Sequence, residues 1–209
     1  MRPQVITFPG MTTADADGVS ASQTPAAGGS QELTINGALA SSGVAAFDIP
    51  RRASITSAAD DSGRVFVITG TNRYGESQTE SVTGPNTTTV VGVKDFLTIT
   101  SVAIDDDSAG ALTVGSSDEA ATAWIPVDIH RVPINIGFAM NLSSDANFTW
   151  TVQQTQDNPL VGTPELVFNH SKTGDFNGAI TTPIMAYRVL IDHYVAGSGV
   201  FTAAQAGLV

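Results

Sequence analysis

The sequence predicts an all-β fold: two consecutive β-sandwich or jelly-roll-like domains behind an extended N-terminal arm. Three observations predict it. Apolar residues alternate with polar ones at a period of two, most clearly from Ile134 to Leu142 and from Phe148 to Val152, and no stretch shows a helical period. Turn residues punctuate the first half at short intervals: Asp60-Asp61-Ser62-Gly63, Asn72-Arg73-Tyr74-Gly75, Gly84-Pro85-Asn86 and Asp105 to Gly110. The 209 residues are 42% hydrophobic and 14% charged, an ordered composition. That length suits two cores of about 90 residues each.

In chain order, residues 1–30 read as the arm. Val5, Ile6 and Phe8 alternate briefly before Pro9-Gly10, and the rest is Ala, Gly, Ser, Thr and Asp without periodicity. Such an arm is expected to order by docking Val5, Ile6 and Phe8 on a neighbouring subunit or on another protein of its assembly. Residues 31–117 form the first domain. Leu33 and Ile35 mark one strand and Val44 to Ile49 another, and Pro50-Arg51-Arg52 turns the chain into Ile55. A meander follows, Arg64 to Thr71, Glu76 to Thr83, Asp95 to Ile104 and Ala111 to Val114. The Glu76 strand is polar enough for an edge, and the Asp95 strand carries apolar residues on both faces, as a central strand does.

Residues 115–119 read as a linker, and residues 118–209 as the second domain. Ile134 to Leu142 and Phe148 to Val152, joined by Ser143 to Ala146, predict a hairpin with Phe138 and Trp150 in one interior. Asp157 to Asn177 reads as a long loop with a contact role. Pro183 to Ala196 and Val200 to Ala206 complete the domain around Gly197-Ser198-Gly199.

Net charge is −11 with Lys94 and Lys172 the only lysines, which argues against nucleic acid as a direct partner. Without cysteine the chain has no disulfide and no thiolate ligand. The N-terminus lacks the pattern of a secretory signal, and no apolar run reaches bilayer length, so a chain made in a cytoplasm without membrane contact is expected.

Candidate chemistry is sparse. His130, His170 and His193 are far apart, and a metal reading needs two of them to converge with a carboxylate. Asp105-Asp106-Asp107 lacks the alternate ligand spacing of a calcium loop and reads as a solvated acidic turn. No nucleophile elbow, phosphate loop or dinucleotide fingerprint occurs. No catalytic residue, metal or cofactor is expected, and Tyr74 at a hairpin tip joins Val5, Ile6 and Phe8 as an interface candidate.

The run TSAADDSGRVFVITGTNRYGESQTESVTGPN followed by KDFLTITSV resembles a segment of small β-rich virion proteins of tailed bacteriophages. It has their Gly-Thr-x-x-x-Gly hairpin, an acidic-Thr-Gly-x-Asn strand end and a Lys-x-Phe-x-x-(Ile/Val)-(Thr/Ser) strand. PVDIHRVPINIGFAMN, NFTWTVQQTQDNP, VFNHS and AYRVLIDHYVAGSGVF are similar to the second half of the same proteins. The resemblance implies a non-enzymatic structural component of the virion, first of all a capsid decoration or cement protein. A neck, collar or tail-attachment protein, or a carbohydrate-binding fibre module, are the alternatives. It implies other virion proteins as partners, a homo-oligomer and a place on the particle.

Overall fold

A computed structural model describes residues 3–130, 132–159 and 167–208. Every regular element among them is a β-strand, so the fold is all-β. Two compact units emerge, Thr12–Ala120 and the pair of segments Met1–Met11 and Ala121–Val209.

The first strand, β1 (Gln4–Phe8), belongs to the second of these units. The unit Thr12–Ala120 holds β2 (Ser20–Gln23), β3 (Gln31–Glu32), β4 (Ala40–Ser41), β5 (Val44–Ser57), β6 (Val65–Thr71), β7 (Ser77–Thr83), β8 (Thr89–Ile104) and β9 (Leu112–Ser116). They form one eight-stranded sheet, ordered β2-β9-β5-β8-β6-β7 with β3 on β8 and β4 on β5. Only β6 and β7 form the expected hairpin, Thr71 opposite Ser77. The rest is not a meander, because β9 pairs with β5 and not with β8.

The long strands β5 and β8 bend the sheet around one core that includes Phe47, Ile55, Phe66, Phe96, Ile99 and Val102. Pro50, Arg51 and Arg52 make no turn. They lie inside β5, where the register against β8 slips between Ala46 and Arg51 and again between Arg52 and Ser54. A proline cannot donate to the ladder, so a register break is where a sheet tolerates one. The β6–β8 register also slips at Thr69/Gly70, and burial along β8 changes parity between Phe96 and Ile99. Ile99, which alternation would send to the opposite face, therefore joins Phe96, Val102 and Ile104 in one interior, because an irregular ladder turns side chains of opposite parity to the same side. β7 ends the sheet as expected, yet its Glu80 is buried and accepts the N–H groups of Val93 (2.6 Å) and Lys94 (3.3 Å).

The second unit adds β10 (Ala120–Ala121, at the boundary), β11 (Ile125–Pro126), β12 (Val132–Leu142), β13 (Asn147–Thr155), β14 (Val167–Lys172), β15 (Phe176–Ile180), β16 (Ala186–Ala196) and β17 (Gly199–Leu208). One sheet runs β1-β17-β12-β15. In the other, β16-β13-β14 are neighbours, and residues 121–127 run antiparallel along β16, with Ile125 opposite Tyr187 and the Thr122 N–H on the Val189 carbonyl. Taken in chain order, with residues 121–127 as the second strand, the sheets read 1-8-3-6 and 2-7-4-5. That is the jelly-roll order, two interlocked Greek keys.

The sheets face each other across Phe8–Phe148 (5.3 Å), Trp150–Phe176 (6.4 Å) and Tyr187–Phe201 (6.2 Å between ring centres). Trp150 and Phe138 share this interior, both against Phe176, as the alternation predicts. Their strands are not a hairpin, however. β12 and β13 lie in opposite sheets, and the short Ser143–Ala146 connection passes between them. The expected long loop 157–177 also contains β14, while residues 160–166 lie outside the described residues.

The N-terminal arm is the largest correction. β1 is the first jelly-roll strand, paired antiparallel with β17 from Gln4–Ala203 to Phe8–Gly199. Residues 12–30 belong to the other unit, where Val19 is fully buried and β2 pairs with β9. Local periodicity misses both because each partner strand lies far along the chain. A chain beginning at Gln31 is therefore expected to melt roughly 10 °C or more below the full protein, at about 2–4 °C per kcal/mol lost. Calorimetry of the two proteins checks this.

Candidate functional site

The residues expected at an interface divide. Phe8 is half-buried with its ring edge-on to Phe148 and to Tyr194 (5.6 Å), and Ile6 is half-buried on the same side of β1. These two pack within their own unit. Val5 faces outward, 62% exposed, and Tyr74 stands at the β6–β7 tip, 70% exposed. The tip is rigid for a local reason: the Asn72 side chain accepts the N–H groups of Tyr74 (2.9 Å) and Glu76 (3.1 Å), and Gly75 takes the positive φ that closes the turn.

Two adjacent arginines of β5 form a polar centre that the sequence reading passed over. Arg51 is 1% exposed, donates to the Thr12 carbonyl (2.9 Å) and hydroxyl (3.0 Å), and pairs with Asp48. Arg52 pairs with Glu119, and its backbone exchanges hydrogen bonds with Glu119 and Ser117. Ser116 and Asp15 bind each other as well, Ser116 N–H on the Asp15 carbonyl and Asp15 N–H on the Ser116 hydroxyl. The first and last residues of Thr12–Ala120 are thus fastened side by side. This is what a domain inserted between two strands of another requires.

Burial acts to raise the Asp48 carboxyl, but the Thr12 N–H, the Arg51 charge and the Ile49 N–H outweigh it and hold the pKa below the ordinary 3.8. Such a group binds its proton less readily folded than unfolded. Its contribution is complete above the ordinary pKa and is lost as pH falls through the depressed one. The melting temperature is expected to drop below about pH 4, and the Asp48→Asn variant to show a shallower drop over that window.

The acidic turn is also a clasp. Asp105 accepts the Val65 N–H (3.1 Å), Asp106 the Gly29 N–H (3.0 Å), and Asp107 the Gly28 N–H (2.7 Å) and the Gln31 amide (2.9 Å). Gly28 and Gly29 both adopt positive φ, +75° and +69°, which turns their successive N–H groups toward the carboxylates. Hydrogen bonds from the Asp107 and Gly29 N–H groups, with the Arg64 charge, hold Asp106 below its ordinary pKa. The turn remains in contact with solvent, as the sequence suggests, and it also grips its own chain.

Two of the three histidines have described side chains. His130 is exposed in the turn after β11, and His193 lies on β16 beside Asp192 (3.6 Å) with a φ of +50°. The side chain of His170 lies outside the described residues. No group of three or more potential metal ligands occurs among the described residues. Burial pushes the Tyr187 phenol up to about 12, so it stays protonated in the jelly-roll core.

The fold defines the class: an all-β protein with a jelly roll, in which the Arg51–Asp48 and Arg52–Glu119 pairs and the Asp105 to Asp107 turn fasten strands and loops. No protein-family model matches the chain, and no curated protein matches it.

Proposed function

We propose that this chain is a structural, non-enzymatic component of a tailed-phage particle, a capsid decoration protein in the first place. The observation that carries the reading is the jelly-roll strand order, β1-β17-β12-β15 against β16-β13-β14 with residues 121–127 on β16. Viral shell proteins use that architecture repeatedly, an analogy at the level of fold. The resembling segments support it further, since they supply β6, β7 and part of β8, and in the second unit β13 and β16 with nearly all of β12 and β14. In this role the protein acts through cohesion with other virion proteins and with copies of itself.

The exposed Tyr74, held at the β6–β7 tip, supports a second reading as a carbohydrate-binding fibre module, because an exposed ring offers a flat face on which a sugar can stack. Mass spectrometry and cryo-EM of purified particles test the first reading: density for this chain on the shell is expected, and density at the neck or tail moves it to those positions. Absence from the particle ends the virion reading. Glycan-array binding that Tyr74→Ala abolishes would favour the second.

A further inference from the structure

We propose that the outward face of the β1-β17-β12-β15 sheet is a self-association surface on which a second copy of this chain packs sheet to sheet. The inference stands on the surface itself and does not rest on a place in a virion. Backbone pairing aligns Val5, Thr202, Ala139 and Asn177 in one row across all four strands. The alternation that sends Phe138, Met140, Phe201 and Ala203 inward turns this row outward. The flanking rows add Ala, Gly, Val, Thr and Asn, among them the exposed Gly137 and Ala204. Among the described residues, no outward position of these four strands carries a charge. The nearby Asp175 lies in the turn before β15, where it accepts the Leu142 N–H (2.7 Å). The opposite sheet differs, with Arg188 and Asp192 on the outward side of β16.

Charge decides the occupant. A chain of net charge −11 repels its own copies wherever acidic surface meets acidic surface. This face is where two copies can meet without that repulsion, and loss of charge marks interface centres in general. A cationic partner would be drawn to the acidic surface instead. The small side chains leave the sheet flat enough for another to approach at about 10 Å, the ordinary spacing of stacked sheets. Val5 and Val200, 62% and 36% exposed, supply the apolar contact.

Area sets the strength. Four strands about 4.8 Å apart and about six residues long give a face of roughly 400 Å². Two such faces bury about 800 Å², less than the roughly 1,200–2,000 Å² of stable pairs. Association through this face is therefore weak and concentration-dependent, and it becomes firm where several copies are held close together.

The test is sedimentation velocity of the full chain from about 10 μM to about 1 mM, the range in which so small an interface fills. The wild type is expected to rise above its monomer mass of 21.6 kDa with concentration. More salt should favour the rise, because it screens the remaining repulsion. Thr202→Asp, a like charge at the centre of the face, should hold the chain monomeric at unchanged melting temperature. Val93→Asp, at a 63% exposed position on β8, should associate as the wild type does. Should Thr202→Asp disturb the fold, Ala139→Cys gives an independent readout, because in a chain without cysteine a single thiol on this face reports pairing by capture with a flexible bis-maleimide crosslinker long enough to span stacked sheets about 10 Å apart. A wild type that stays monomeric throughout overturns the proposal. So does a folded Thr202→Asp protein that associates normally, or an Ala139→Cys protein that captures no second copy.

Discussion

Replacing Trp150 by alanine is expected to lower stability by about 3–5 kcal/mol, the range for a fully buried large aromatic. At about 2–4 °C per kcal/mol for a chain of this size, the melting temperature should fall by roughly 10 °C. Trp150 has no exposed surface, packs against Phe176 of the facing sheet, and donates its indole N–H to the Gly174 carbonyl at 3.0 Å. Alanine removes the ring and leaves that carbonyl to find another donor. Trp150→Phe separates the two losses: it keeps much of the ring volume, so its smaller deficit approximates the hydrogen bond with the residual gap. Thermal melting of the three proteins measures both. A Trp150→Ala protein that melts within a degree or two of wild type would refute the assigned core.

Asp48→Asn is expected to cost about 2–3 kcal/mol, although it changes one atom. The Arg51 guanidinium it serves is 1% exposed and is left with only neutral partners at Thr12. Stranding a charge within a fully buried pair costs about 3–5 kcal/mol, and the lower figure here allows for water reaching Asp48, 32% exposed. Adding Arg51→Met to Asp48→Asn should recover part of the loss, since the second change removes the charge that the first stranded. Denaturant melts of the two single variants and the double variant give the coupling. Simple additivity of the two changes would show that the pair is not a unit.

Strand existence and burial were legible in the sequence where one side chain in two is large and apolar. Trp150, Phe138 and Met140 declare their shared face at a glance. Strand partnership was not legible, because a period of two reports which face is covered and not which strand lies alongside. Hence β12 and β13 resemble a hairpin yet sit in opposite sheets, and β1 resembles a loose arm although β17 completes it. At the polar centres, residue type was visible but not partner. Arg51 and Arg52 next to a proline suggest a turn until Thr12 and Glu119 are seen beside them. Asp105 to Asp107 suggest a solvated turn until Gly28 and Gly29 arrive with their N–H groups. Of the candidate surface, Val5 and Tyr74 were visible as apolar or aromatic residues in exposed contexts. The uncharged sheet face was not, because its rows collect single residues from four strands scattered between Gln4 and Leu208.

The pairing of β1 with β17 also fixes an order of events during synthesis. β1 is made well before its partner β17, with every other strand of the chain between them. At about 5–20 residues per second the ribosome needs roughly 10–40 s to bring the second to the first. Thr12–Ala120 is complete long before then, and its clasped ends let it close while β1 waits unpaired. The jelly roll can finish only after β17 has left the ribosome. Its outward sheet face, which needs both β1 and β17, is then the last surface to form, so unfinished chains have no completed face through which to recruit one another.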